Sequence, residues 1–74
     1  MMAAVETFDR LVACVVCGEN IAKGVGVLKN HTTGQYVTRD EVKRLEGTPA
    51  YEDCSLYYAG PYCFQVNKLQ AYVA

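Results

Sequence analysis

Four cysteines carry most of the chemistry that this 74-residue chain can offer: Cys14-Val-Val-Cys17-Gly18 near the start, then Cys54 and Cys63 near the end. Thiolates ligate borderline and soft metals. Cys-x-x-Cys followed by glycine is the composition of a zinc knuckle, a tight turn whose amides hydrogen-bond the sulfurs while the glycine takes a conformation other residues resist. Taken together the four fit one tetrahedral site tying the two ends of the chain to a single ion. Cys54 and Cys63 are separated by eight residues, too many for a second knuckle of the same shape. His31, the only histidine, is the rival ligand and the first substitute if Cys54 lies elsewhere. Its place in a turn beside Asn30 and Thr32 otherwise reads as a solvated loop. Four thiolates would close the site and leave no position for water, which argues against catalytic zinc.

Two disulfides are the alternative for a short secreted chain, and a redox dithiol is a third. Met1 to Arg10 has no basic leading segment, carries Glu6 and Asp9, and lacks the apolar run of a signal peptide. No stretch approaches the ~18 apolar residues of a membrane span. These features favour the reducing cytoplasm, where clustered cysteines are read as metal ligands. A thioredoxin-like motif would need a larger βαβ framework than the chain provides around Cys14 and Cys17.

Length makes a staple necessary. A core this small leaves a margin of about 3–5 kcal/mol over conformational entropy, whereas a structural zinc site supplies roughly 10 kcal/mol of coupled binding and folding. At 51% hydrophobic and 20% charged residues, the composition is that of a globule and not of a disordered chain. One domain spanning 1–74 is expected, with residues 1–12 as a flexible or partner-binding segment.

The scaffold for these sulfurs can be read in chain order. Spacings of three and four among Val5, Phe8, Leu11 and Val12 predict a short helical turn up to Val12, then an extended approach to the knuckle. Ile21 to Lys29, with Gly24 and Gly26, reads as a strand. The turn is Asn30 to Gly34, and Gln35 to Thr38 forms the return of the hairpin. Thr38-Arg39-Asp40-Glu41 fits a capping box opening an inserted short helix to Glu46, with Val42 and Leu45 facing inward and Gly47 and Pro49 as the stop. Thr48 to Ala59 shows no period and reads as a loop. Gly60-Pro61 opens a final helix in which Tyr62, Val66, Leu69 and Val73 form the stripe, placing Cys63 in the first turn, where unpaired amides favour a thiolate. The fold expected is therefore a small α+β, zinc-stabilised, irregular treble-clef or zinc-ribbon-like module of knuckle, β-hairpin, inserted helix and C-terminal helix.

Enzyme chemistry finds little support. One histidine and no glycine-rich phosphate loop leave a nucleophile without an activating base, and Asp40, Glu41 and Glu46 suit a capped, solvated helix. The formal charge is −1, and four thiolates around a dication would lower it to −3, so strong non-specific affinity for phosphate is not expected. A local patch of Arg39, Lys43 and Arg44 with Tyr36 beside it is the candidate for stacking on a base, the alternative reading as a nucleic-acid-binding zinc finger. A protein partner suits six tyrosines and two phenylalanines better, with two or three of the rings exposed. Val5 and Phe8 are further candidate contact residues.

Cys14-x-x-Cys17-Gly18 together with Ala59-Gly60-Pro61-Tyr62-Cys63 resembles the small zinc-binding domains of bacteriophage and mobile-element proteins, in which Gly-Pro-x-Cys starts the last helix. In size, charge balance and organisation the whole chain is similar to phage-encoded transcription regulators that bind the host RNA polymerase. That resemblance implies a non-enzymatic protein, monomeric when free and acting in the bacterial cytoplasm. It would inhibit initiation or promote antitermination, with structural Zn2+ on Cys14, Cys17, Cys54 and Cys63.

Overall fold

In a computed structural model, which describes residues 5–74, the chain is built on three antiparallel strands, β1 (Glu6–Ala13), β2 (Asn20–Asn30) and β3 (Cys54–Ala59), in the order β1-β2-β3. Two short helices, α1 (Arg39–Arg44) and α2 (Pro61–Val66), and two 3₁₀ turns, Pro49–Asp53 and Leu69–Tyr72, complete it. It is a small α+β fold. No helix among the described residues is long and apolar enough to cross a membrane.

The central strand β2 changes partner along its length. Asn20 to Gly24 pair with β1, and Val25 to Asn30 pair with β3, from Val25 opposite Ala59 to Asn30 opposite Cys54. The other edge of this second half is covered by the chain's later segments. Val37 donates to the Leu28 carbonyl at 3.1 Å, Ala74 donates to the Gly26 carbonyl at 3.0 Å, and Val27 bridges to Val73. The handover occurs at Gly24, where a Cβ would stand 2.7 Å from the Ala59 carbonyl oxygen and 3.0 Å from Ile21 Cδ1. The Ile21 side chain can swing away, but the Ala59 carbonyl cannot yield without disturbing the pairing of β3 with Val25. Gly24→Ala is therefore expected to lower stability by about 1–3 kcal/mol, read as a lower urea midpoint.

The N-terminal segment is a strand, correcting the helical turn expected up to Val12. Glu6 pairs with Gly24 and Thr7 with Lys23, but Val12 pairs with Ile21, so Phe8 to Leu11 bulge opposite Ala22. Such a bulge breaks the period of two, which is why the apolar spacing imitates a helix. Residues 6–13 are thus part of the sheet and not a free arm, while residues 1–4 of the expected 1–12 segment lie outside the described residues.

The turn after β2 forms where expected. The Asn30 side-chain oxygen accepts from the Thr32 and Thr33 amides at 2.8 and 3.0 Å, and Gly34 has φ +77°. The return is reduced to a bridge between Lys29 and Tyr36. Thr38 caps α1, its hydroxyl accepting from the Glu41 amide at 3.1 Å, while the Glu41 carboxylate lies 3.8 Å from Arg44. The helix stops at Arg44, before the expected Glu46.

Two expectations fail further on. The segment from Thr48 to Ala59, read as a loop, contains a 3₁₀ turn and the whole of β3. The last helix ends at Val66, because Lys68 adopts a left-handed φ of 53° and the chain re-forms as the second 3₁₀ turn. Tyr62 and Val66 consequently point outward, 78% and 58% exposed. Leu69 alone of the expected stripe is fully buried, against Val27 and Ala59, and Val15, Tyr36, Tyr57, Phe64 and Tyr72 pack round them. The aromatic surplus fills this thin core: Phe8 meets Tyr58 edge-on at 4.7 Å and Tyr36 stacks on Tyr72 at 5.6 Å.

Candidate metal centre

The loop joining β1 to β2 is the knuckle. Its neck is closed by the Cys14 amide donating to the Glu19 carbonyl at 2.8 Å. Gly18 donates back to the Cys14 carbonyl at 2.9 Å and takes φ +80°, where a side chain would be strained. Val15 donates to the Tyr58 carbonyl at 2.9 Å, so the knuckle is fastened to β3 as well as to its own hairpin. β3 then delivers Gly60, and Pro61 starts α2 with Cys63 as its third residue. Pro61 has no N–H to leave unsatisfied and its fixed φ suits a first helical position.

These connections bring Cys14, Cys17 and Cys63 together, with all three Sγ atoms within 4.8 Å of one another. Zinc–sulfur bonds of about 2.3 Å in a tetrahedron place sulfurs ~3.8 Å apart, so an ion fits among the three with a small contraction. Cys14 is buried, Cys63 half-buried and Cys17 exposed. The Gly60 amide donates to Cys14 Sγ at 3.4 Å. Burial pushes the Cys14 thiol up, but hydrogen bonds from the Cys17, Gly60 and Val16 amides outweigh it and bring it down to about 7. Cys63 moves the other way, to about 11, through desolvation and through sharing its proton with the Cys17 and Cys14 sulfurs. Burial, then the charges of Cys14 and Cys63, raise the Tyr36 hydroxyl.

Metal loading must strip the protons that these values leave in place. The Cys14 thiol is lowered to about 7 and the Cys63 thiol raised to about 11, so protons compete with an ion for these sulfurs near neutral pH. Zinc addition is expected to release protons and apparent affinity to rise with pH, since each proton competes with the ion for a sulfur. Chelator competition between pH 6 and 8, with proton release in weak buffer, measures both.

Cys54 does not join the group. It opens β3 opposite Asn30, its Sγ 3.6 Å from the Ala50 carbonyl, whereas Ala59, next to Gly60, closes the strand opposite Val25. Five residue-to-residue steps of extended chain separate the two ends by ~17 Å. His31 lies at the Cys54 end, its amide donating to the Asp53 carbonyl at 2.9 Å and its Nε2 3.9 Å from the Asp53 carboxylate. Neither expected fourth ligand is at the site. The same separation excludes two disulfides, because bridged cysteines need Cα atoms within about 7 Å.

The expected contact residues are dispersed. Val5 and Lys43 are exposed, Phe8 packs on Tyr58 and Tyr36 on Tyr72. Arg39 donates to the Ala74 carbonyl at 3.0 Å and Arg44 leans on Glu41. One group at the centre escapes the sequence reading: the Gly60 amide, whose role is implicit in the Gly-Pro-x-Cys order. No family model, curated protein or solved structure matches the chain.

Proposed function

We propose that this chain is a zinc-structured binding module without enzymatic activity, an irregular treble-clef variant that regulates transcription by docking on a bacterial RNA polymerase. The convergence of Cys14, Cys17 and Cys63 from the two ends of the chain carries the metal part of this reading. Knuckle, strands and a ligand in the first turn of the last helix supply the treble-clef order, with α1 as the insertion. The sole histidine is a strand length from the sulfurs, so no imidazole base serves the metal. Leu11, Tyr62 and Val66, each more than half exposed, offer apolar area for a protein partner. A nucleic-acid role is weaker, because Arg39 and Arg44 are engaged within the fold.

The polymerase assignment rests on the resemblance in size, charge balance and organisation. Such a protein acts by occupancy, excluding an initiation factor or redirecting exiting RNA. Zinc-loaded wild type immobilised on resin is expected to retain polymerase subunits from bacterial lysate, and Cys63→Ser to retain none. Failure of the folded, metal-loaded wild type to do so rejects the polymerase as partner while leaving the metal module standing.

A further inference from the structure

Three sulfurs do not complete a tetrahedron. Among the described residues the clustered ligands are Cys14, Cys17 and Cys63, and the two other side chains best suited to join them, Cys54 and His31, are held at the opposite end of β2. The buried member, Cys14, lies on the protein side, and Cys17 stands in solvent. Tyr62, next to Cys63, is 78% exposed.

Resting on the metal reading above, we infer that the bound ion keeps a fourth coordination position open to solvent, and that this position takes a neutral nitrogen donor of the imidazole class, such as a histidine presented by a partner. The argument from charge selects the class. Three thiolates on a dication already leave one net negative charge. The amides that disperse it, those of Cys17, Gly60 and Val16, all act on Cys14. A fourth thiolate would double that charge, whereas imidazole leaves it unchanged and completes a Cys₃His set, an ordinary structural zinc environment. The exchange is simple ligand substitution: one water leaves the metal as one nitrogen lone pair binds, with no change of oxidation state. Specificity follows from geometry, since a donor must approach past Cys17 from the solvent side.

Cobalt(II) loaded into the reduced full-length chain tests this directly. The intensity of sulfur-to-cobalt charge transfer reports the number of thiolates, and the ligand-field bands report the fourth donor. Wild type and Cys54→Ser are both expected to bind one cobalt per chain at the three-sulfur intensity. Imidazole should then shift the ligand-field bands saturably in both proteins without raising the charge-transfer intensity, and 2-mercaptoethanol should bind more weakly. A four-sulfur intensity in wild type that falls in Cys54→Ser, or a ratio of one metal to two chains, would overturn the open position while leaving the metal module intact. A stronger response to the thiol than to imidazole overturns the neutral-donor assignment. Absence of cobalt uptake overturns the metal centre itself and this inference with it.

Discussion

Cys63→Ser is expected to bind no zinc and to remain unfolded under conditions in which the wild type is folded, and stripping the wild type with a strong chelator should reach the same state. Among the described residues the buried hydrophobic set is small: Cys14, Val25, Val27, Ala59 and Leu69. A core of that size holds a margin of about 3–5 kcal/mol at best, while a structural zinc ion contributes on the order of 10 kcal/mol to folding. Cys63 is the ligand whose loss has the longest reach. Without it the ion no longer joins the β1–β2 loop to α2, and the chain beyond β3 loses its anchor to the knuckle. Cys14→Ser should act similarly and also weaken the link to the Gly60 amide. Far-UV circular dichroism and metal content of the reduced, purified variants read the outcome. Persistence of native structure in metal-free wild type would show that the sheet stands unaided.

Cys54→Ser is the informative contrast. Its Sγ contacts the Ala50 carbonyl in the 3₁₀ turn before β3, and a hydroxyl can make the same donation. Full metal uptake and a change within about 0.5 kcal/mol are expected. The sequence offers both late cysteines as ligands; in three dimensions Cys63 joins the sulfur cluster of Cys14 and Cys17, and Cys54 does not.

The difference between them is legible in the sequence only in part. Cys14-x-x-Cys17-Gly18 and Gly60-Pro61-x-Cys63 are local instructions: glycine φ, proline at a first helical position and sulfur spacing act within a few residues. The knuckle and the first turn of α2 therefore stand where the sequence placed them. The Asn30 turn and the Thr38 cap are local in the same sense. β3 is not. Its period of two across Ser55, Tyr57 and Ala59 is short and has no strong turn signal before it, and its identity as a strand comes from pairing with β2, a non-local event. Once Cys54 to Ala59 is recognised as extended, simple length removes Cys54 from the cluster of Cys14, Cys17 and Cys63. The β1 bulge is another non-local feature, because only the register with β2 distinguishes it from a helical turn. The break at Lys68 has no proline or glycine to announce it. The αL turn there is set by distant packing: Leu69 enters the core and Val73 pairs with Val27.

That break makes the last turn the place where packing and metal binding can be separated. Leu69→Ala removes the buried side chain that the 3₁₀ turn inserts against Val27 and Ala59, whereas Val66→Ala trims a residue that helical spacing had put in the same stripe and that is 58% exposed. The first should cost about 2–5 kcal/mol and the second no more than about 0.5 kcal/mol. Leu69→Ala thus removes a share of stability comparable with the whole margin of the core. Because the metal-free chain is expected to be unfolded, weakened packing will be read as weakened apparent metal affinity, about tenfold for each 1.4 kcal/mol. Leu69→Ala should accordingly bind zinc at least ~10-fold less tightly, yet its cobalt spectrum should match the wild type, since no ligand is altered. An altered spectrum would mean that Leu69 shapes the coordination sphere directly. Unchanged affinity would mean that the sheet folds before the ion arrives, and that the centre secures α2 to a structure already formed.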